Sequence, residues 1–201
     1  MSAWNASDGG ALRGLPATFT YSQARAGGLS KRQIYRLRDD GFIEAISRGL
    51  FRRMDTDELA DPDLLDIARR APLATLCLTS ALARHGLTDE IPATIDVALP
   101  RDKYRPAVQA PVTWHHFDPD TFGTGRTTVP VDSETSIGLY TAPRCIIDVA
   151  RLRYREGNEL FYGALRRWLS RRESSPSELL AMARLFPPAE RPLREAMEIL
   201  L

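Results

Sequence analysis

The sequence predicts a mixed α/β (α+β) chain: a small basic module of short helices with a hairpin, then a small sheet with helices. Three observations predict it. Residues 30–53, SKRQIYRLRDDGFIEAISRGLFRR, set a short basic helix directly before two short runs joined by a glycine turn. Between residues 94 and 140, short β-rich runs alternate with turn residues. From Pro143 onward, apolar residues recur at helical spacing.

The bulk numbers fit this plan. At 201 residues the chain has room for one large or two small domains. Hydrophobic residues make up 43% and charged residues 26%, as in an ordinary folded chain. No apolar run reaches the roughly 18 residues of a membrane span, and MSAWNASDGGALRG lacks the pattern of a signal peptide. A cytoplasmic location without membrane association is therefore expected. Charge is unevenly spread. Residues 1–53 hold nine Arg or Lys against four Asp or Glu, and the remainder holds 18 against 22. A basic head on a mildly acidic body is the charge pattern of a nucleic-acid-binding module joined to a second domain.

Taken in order, residues 1–10 are small and polar and read as a flexible N-terminus. A short helix is expected over about Ala11 to Leu15. Ser22 reads as the cap of a helix of one to two turns, SQARAG, which Gly27-Gly28 ends. Leu29 precedes Ser30, and Gln33 follows Ser30 by three, the spacing of a capping box. In the helix that follows, Ile34 and Leu37 face inward and Lys31, Arg32, Arg36 and Arg38 lie on the polar sides, with Gly41 as the stop. Phe42 to Ile46 and Leu50 to Arg53 then pair as strands around Ser47-Arg48-Gly49, with Arg48 at the tip.

Helix, tight turn, capped basic helix and hairpin make a winged helix-turn-helix over residues 11–56. The physical case for DNA is direct. A major groove admits one helix, and residues near its amino terminus reach base edges. Here those are Lys31, Arg32, Gln33 and Arg36. Arg and Lys can read guanine, and Gln can read adenine. Arg48 reaches the backbone or the adjacent minor groove, Tyr21, Ser22 and Arg38 can add backbone contacts, which position rather than specify, and Tyr35 (partly inward-facing), Arg52 and Arg53 complete the candidate DNA-binding set.

Residues 57–71 read as a connector, with Leu64, Leu65, Ile67 and Ala68 apolar on a helix broken by Pro72. Residues 72–201 read as an α/β domain. Leu73 to Leu78 is a strand or a buried first turn, and Thr79-Ser80 caps a helix over Ala81 to His85. Strands are expected at Thr94 to Leu99, Val112 to Phe117, Thr127 to Val131 and Ile137 to Tyr140, with Asp118 to Arg126 as a loop. Helices follow from Pro143, over Glu159 to Ser170, from Ser175-Pro176, and over Ala189 to Leu201 beyond Pro187-Pro188.

Catalytic chemistry finds no support in the sequence. His85, His115 and His116 lack partners at metal-site spacing, and His115-His116 on a strand point to opposite faces. There is no phosphate-cradling glycine loop and no GxSxG. Asp132, Glu134 and Asp148 are scattered acids, and Lys103 is the only lysine of the body. Cys77 and Cys145 sit far apart in apolar contexts, as reduced core thiols do. No enzyme activity, metal or cofactor is expected.

Four stretches in this order, FTYSQARAGGLSKRQIYRLRDDGFIEAISRGLFRR, LCLTSALARHGLTDEIPATIDVALP, APRCIIDVARLR and ELFYGALRRWLSR, resemble the AbiEi-type antitoxins of type IV toxin–antitoxin systems, winged-helix transcriptional regulators. The resemblance covers roughly residues 10 to 172. Ser47 to Phe51 matches the family's wing turn, Ser80 to Asp89 its post-linker helix and turn, and Arg144 to Arg151 a later helix. Cys145 stands where such proteins often have Thr. The resemblance implies an autorepressor that binds inverted repeats upstream of its own operon. It also implies a genetically paired nucleotidyltransferase-like toxin, neutralised through the 72–201 domain without stable direct binding. Two other readings stay open: a stand-alone winged-helix regulator without antitoxin role, and a protein-interaction adaptor.

Overall fold

The computed structural model describes residues 11–55, 61–132 and 134–200. The stretch expected to be flexible, 1–10, the first part of the connector, 57–60, and Leu201 lie outside the described residues. The chain is mixed α+β and divides into two compact units. The first runs to Pro72 and also takes in Ala107–Ala110 and Pro130–Ser136, two segments that sequence reasoning assigned to the region 72–201. The second holds the rest.

In the first unit, residues 11–13 are helical and the chain turns at 14 and 15. Strand β1 (Thr18–Thr20) leads straight into α1 (Tyr21–Ala26). The cap is Thr20, not Ser22. Thr20 has the extended backbone a cap needs, its hydroxyl accepts from the Gln23 amide, and Gln23 Oε1 accepts from the Thr20 amide at 2.8 Å. Ser22 already lies in the first turn of the helix. Gly28, at φ +91°, turns the chain toward α2 (Lys31–Asp39). The expected capping box is there: Ser30 caps α2, and Gln33 returns the bond at 2.7 Å.

Strands β2 (Ile43–Ser47) and β3 (Leu50–Arg53) form a hairpin turned by Arg48 and Gly49, with Gly49 at φ +79°. Phe42 was expected to open the strand and return to the core. It precedes the strand and is 38% exposed, whereas Ile43, expected inward with it, is buried. The strand β1, which the sequence did not announce, adds to β3, giving an antiparallel sheet in the order β1-β3-β2. One apolar cluster joins the sheet to both helices: Leu12, Leu15, Phe19, Ala24, Leu29, Ile34, Leu37, Ile43 and Phe51. Phe19 stacks on Phe51 at 5.9 Å. Helix α3 (Pro62–Arg70), capped by Asp61 with proline in its first turn, follows. Its Leu65 packs with Leu50, Ile46 and Val131.

The second unit is built on a five-stranded sheet in the order β6-β5-β4-β8-β7. These are β4 (Thr75–Leu76), β5 (Ile95–Pro100), β6 (Val112–Phe117), β7 (Arg126–Pro130) and β8 (Ser136–Tyr140). β4 pairs antiparallel with β5 and parallel with β8, while β5 and β6 run parallel. Helix α4 covers Leu78–Arg84, earlier than the expected 81–85. Cys77 stands at its cap without a side-chain bond, and Leu78 takes φ +43°, a conformation no pattern rule assigns to leucine. Ser80 does not cap the helix; its hydroxyl accepts from the Asp96 amide at 2.8 Å. The expected loop 118–126 contains the single turn α5 (Pro119–Phe122).

Helix α6 (Ala142–Arg151) is central, packing against α4, α8 (Asn158–Leu169), α9 (Pro176–Ala183) and α10 (Pro187–Leu200). Arg144 to Ala150 are all buried. A short α7 (Arg153–Glu156) ends at Gly157, φ +96°. Pro187-Pro188 does not separate helices; it opens α10, because proline is tolerated in a first turn where its missing N–H has no partner to lose. No helix among the described residues is long and apolar enough to cross a membrane.

Candidate nucleic-acid interface

Helix α2 separates its faces cleanly. Ile34 and Leu37 are buried, whereas Lys31, Arg32, Tyr35, Arg36 and Arg38 are exposed. At 3.6 residues per turn these five positions fall on one continuous arc. Tyr35 sits in the middle of it, 39% exposed. Its ring has the Lys31 ammonium 6.0 Å from its centre and the Arg38 guanidinium at 5.0 Å. Such contacts hold long cationic side chains along the helix. Arg38 is also bonded in a fork to Asp39, at 3.0 and 2.7 Å, which offsets its charge.

Gln33 performs the capping task that its spacing from Ser30 suggested. Its Oε1 accepts from the Ser30 amide at 2.7 Å, and its own backbone amide donates the return bond to the Ser30 hydroxyl at 3.3 Å. The residue, half-buried, fixes the start of α2.

The hairpin divides in the same way. Arg48 is exposed at the turn. Arg52 is partly buried and bonds Glu44, its cross-strand partner, at 2.5 Å. Arg53 is only 13% exposed. It forks onto Asp55 at 2.8 and 2.9 Å and donates to the Leu15 and Arg13 carbonyls. The Arg53 guanidinium holds the Asp55 carboxyl below its ordinary range. Arg53 therefore fastens the segment before β1 to the sheet. Ser22 is exposed on the first turn of α1.

Sequence reasoning missed three residues that surround the turn. Ser47, the buried last residue of β2, donates to Asp66 Oδ1 at 2.5 Å. Arg70 donates to the same oxygen at 2.6 Å, to Ser47 Oγ at 3.0 Å and to the Arg48 carbonyl at 3.2 Å. Burial works to raise the Asp66 carboxyl, but the bonds from Ser47, Gln109 and Arg70 together hold it below the ordinary carboxylate range. The available signal was an acid at position 66 between apolar Leu65 and Ile67, with an arginine four residues on.

In the second unit a buried set of ionisable groups serves the interior. Asp148 is fully buried and accepts from Arg144 Nε at 3.0 Å and Arg151 Nε at 2.8 Å. Arg144, also fully buried, donates to the Thr121 and Thr124 carbonyls and lies 4.3 Å from the Tyr140 and Phe186 ring centres. His115 is buried between Asp96 and Arg155, at 2.9 and 3.0 Å, while the adjacent His116 is exposed on the other face of β6. Burial pushes both the Cys77 and Cys145 thiols well up, which keeps them protonated and unreactive. No group of three or more His, Cys, Asp or Glu among the described residues is placed to hold a metal.

The fold and the exposed cationic arc define a two-unit α+β protein with a basic helix-and-hairpin surface. No family model matches the chain, and no curated protein matches it. Among solved structures it is similar to the crystal structure of the RV2827C protein from Mycobacterium tuberculosis. The identity is 16%, with 94% of this chain and 75% of that chain covered, and the TM-score is 0.67. At that identity the likeness shows a common fold alone.

Proposed function

We propose that the first unit is a winged helix-turn-helix that binds double-stranded DNA, with α2 in the major groove and the β2–β3 hairpin as the wing. One observation carries this reading: a capped nine-residue helix exposes Lys31, Arg32, Tyr35, Arg36 and Arg38 along one arc, and a hairpin with Arg48 exposed at its turn follows at once. The full role we propose is that of a type IV antitoxin that represses its own operon through inverted repeats. Its antitoxin half rests on the sequence resemblance to AbiEi-type proteins. The alternative of a plain regulator shares the DNA step and differs only in whether the chain relieves a neighbouring toxin.

A gel-shift and anisotropy titration against the DNA upstream of the gene, with scrambled DNA as control, tests the reading. Each phosphate neutralised adds a slope of about −0.9 to log K against log salt. If Lys31 and Arg48 each meet one phosphate while Arg32 and Arg36 reach base edges, the slope is about −1.8 per head, roughly a 12-fold loss between about 50 and 200 mM salt. Arg32→Ala and Arg36→Ala weaken binding and relax sequence preference, whereas Arg48→Ala weakens all sequences evenly. Unchanged affinity in all three at fixed salt overturns this docking. Co-expression with an adjacent toxin gene then separates antitoxin from plain regulator.

A further inference from the structure

We propose that Asp66 and Arg70, on α3, are positioning residues for the wing: they hold the β2–β3 turn at the angle from which Arg48 reaches a phosphate. The proposal rests on the DNA-binding reading above.

A two-residue turn at the end of a short hairpin is held by few bonds, and such tips are among the first places to open locally. Here the turn is held on both sides. Arg70 bonds the Arg48 carbonyl at 3.2 Å, and the Tyr21 amide bonds the Gly49 carbonyl at 2.8 Å. The Arg70 guanidinium is in turn held by Asp66, which also binds Ser47 at the base of the turn. The second carboxylate oxygen of Asp66 accepts from the Gln109 amide at 3.0 Å. Asp66 is thus satisfied from three directions while only 2% exposed.

A buried carboxylate on an apolar helix face is a poor device for stability, since desolvation offsets most of what pairing returns. It is a good device for direction, because its bonds are angular: one ends on Ser47 at the base of the turn, and a second orients Arg70, which reaches the Arg48 carbonyl. The side chain of Arg48 is exposed and takes no part in the network; only its carbonyl is held. The network therefore sets where the Arg48 side chain starts without neutralising it.

The test is a double-mutant cycle on the full chain, read as the salt slope of DNA binding. Arg48→Ala is expected to make the slope shallower by about 0.9. Arg70→Met, which leaves Arg48 in place, is expected to do the same, and the double variant to do no more. If Arg70 is itself a phosphate contact, the double variant reaches about 1.8, and the proposal fails. It fails too if Arg70→Met keeps the wild-type slope. Asp66→Asn supplies a test by sign. Removing a negative charge by itself strengthens DNA binding, whereas a loosened wing weakens it. Stronger binding by Asp66→Asn overturns the proposal. A wild-type chain with no affinity at low salt overturns the DNA reading and this proposal with it, whereas normal wild-type binding with an unaltered Arg48 effect overturns this proposal alone. Melting temperatures of each variant confirm that the fold is kept.

Discussion

Removing the Asp148 carboxylate is the sharpest way to probe what holds the second unit together. Arg144 and Asp148 are both fully buried and lie one helical turn apart on α6, with Arg151 closing the other side of the carboxylate. In Asp148→Ala the Arg144 guanidinium keeps its bonds to the Thr121 and Thr124 carbonyls and its place between the Tyr140 and Phe186 rings. It loses its only buried anion. An uncompensated buried charge costs about 3–5 kcal/mol. For a chain of this size each kcal/mol shifts the melting temperature by about 2–4 °C, so a fall on the order of 10 °C is expected. Scanning calorimetry at pH 7 reads it directly. The companion variant, Arg144→Met with Asp148→Leu, removes both charges at similar volume. It is expected to lose less than the sum of its parts, though not to recover fully, because the Thr124 carbonyl loses the Arg144 donor and the Thr121 carbonyl keeps only the Thr124 amide. A shift below about 3 °C for Asp148→Ala, or simple additivity in the pair, would refute the reasoning.

Two further outcomes follow from the geometry. A Cβ added at Gly138 would stand 2.5 Å from Thr75 Oγ1 and 2.8 Å from the Ala74 carbonyl, so Gly138→Ala forces β8 away from β4 at a cost of about 1–3 kcal/mol or more, seen as a lower urea midpoint. The lowered Asp66 carboxyl gives stability that is complete above its ordinary value of 3.8 and lost as pH falls through the folded value, so the stability gap between wild type and Asp66→Asn, measured by urea titration, should narrow below about pH 4 and not between pH 6 and 8.

The sequence was most readable where the determinants are close in the chain. The box of Ser30 and Gln33, the inward pair Ile34 and Leu37, the glycine at 49 and the strand 112–117 all depend on residues within a few positions of one another. Failures came where a partner is far away. Strand β1 is three residues long and exists because β3, some thirty residues later, receives it. Arg53 looked outward until its bonds to the carbonyls of residues 13 and 15 showed it turned inward. Asp148 and Arg144 have the spacing of an exposed ion pair, and only the packing of four helices around α6 makes them interior. Position 78 shows a different kind of failure, a backbone conformation that tertiary structure imposes against residue preference.

The first unit is discontinuous, and this bears on how the molecule can be dissected. A fragment that stops after Pro72 looks like the natural piece to isolate, yet it lacks Val131, which covers Leu65, and the Gln109 amide that satisfies Asp66. Asp132, which reaches Arg69 at 3.5 Å, is lost with them. Such a fragment would carry a bare leucine and a half-satisfied carboxylate next to the wing. Chimeras that graft this head onto another body need the segments 107–110 and 130–136 as well, or polar and apolar substitutes for the contacts they supply.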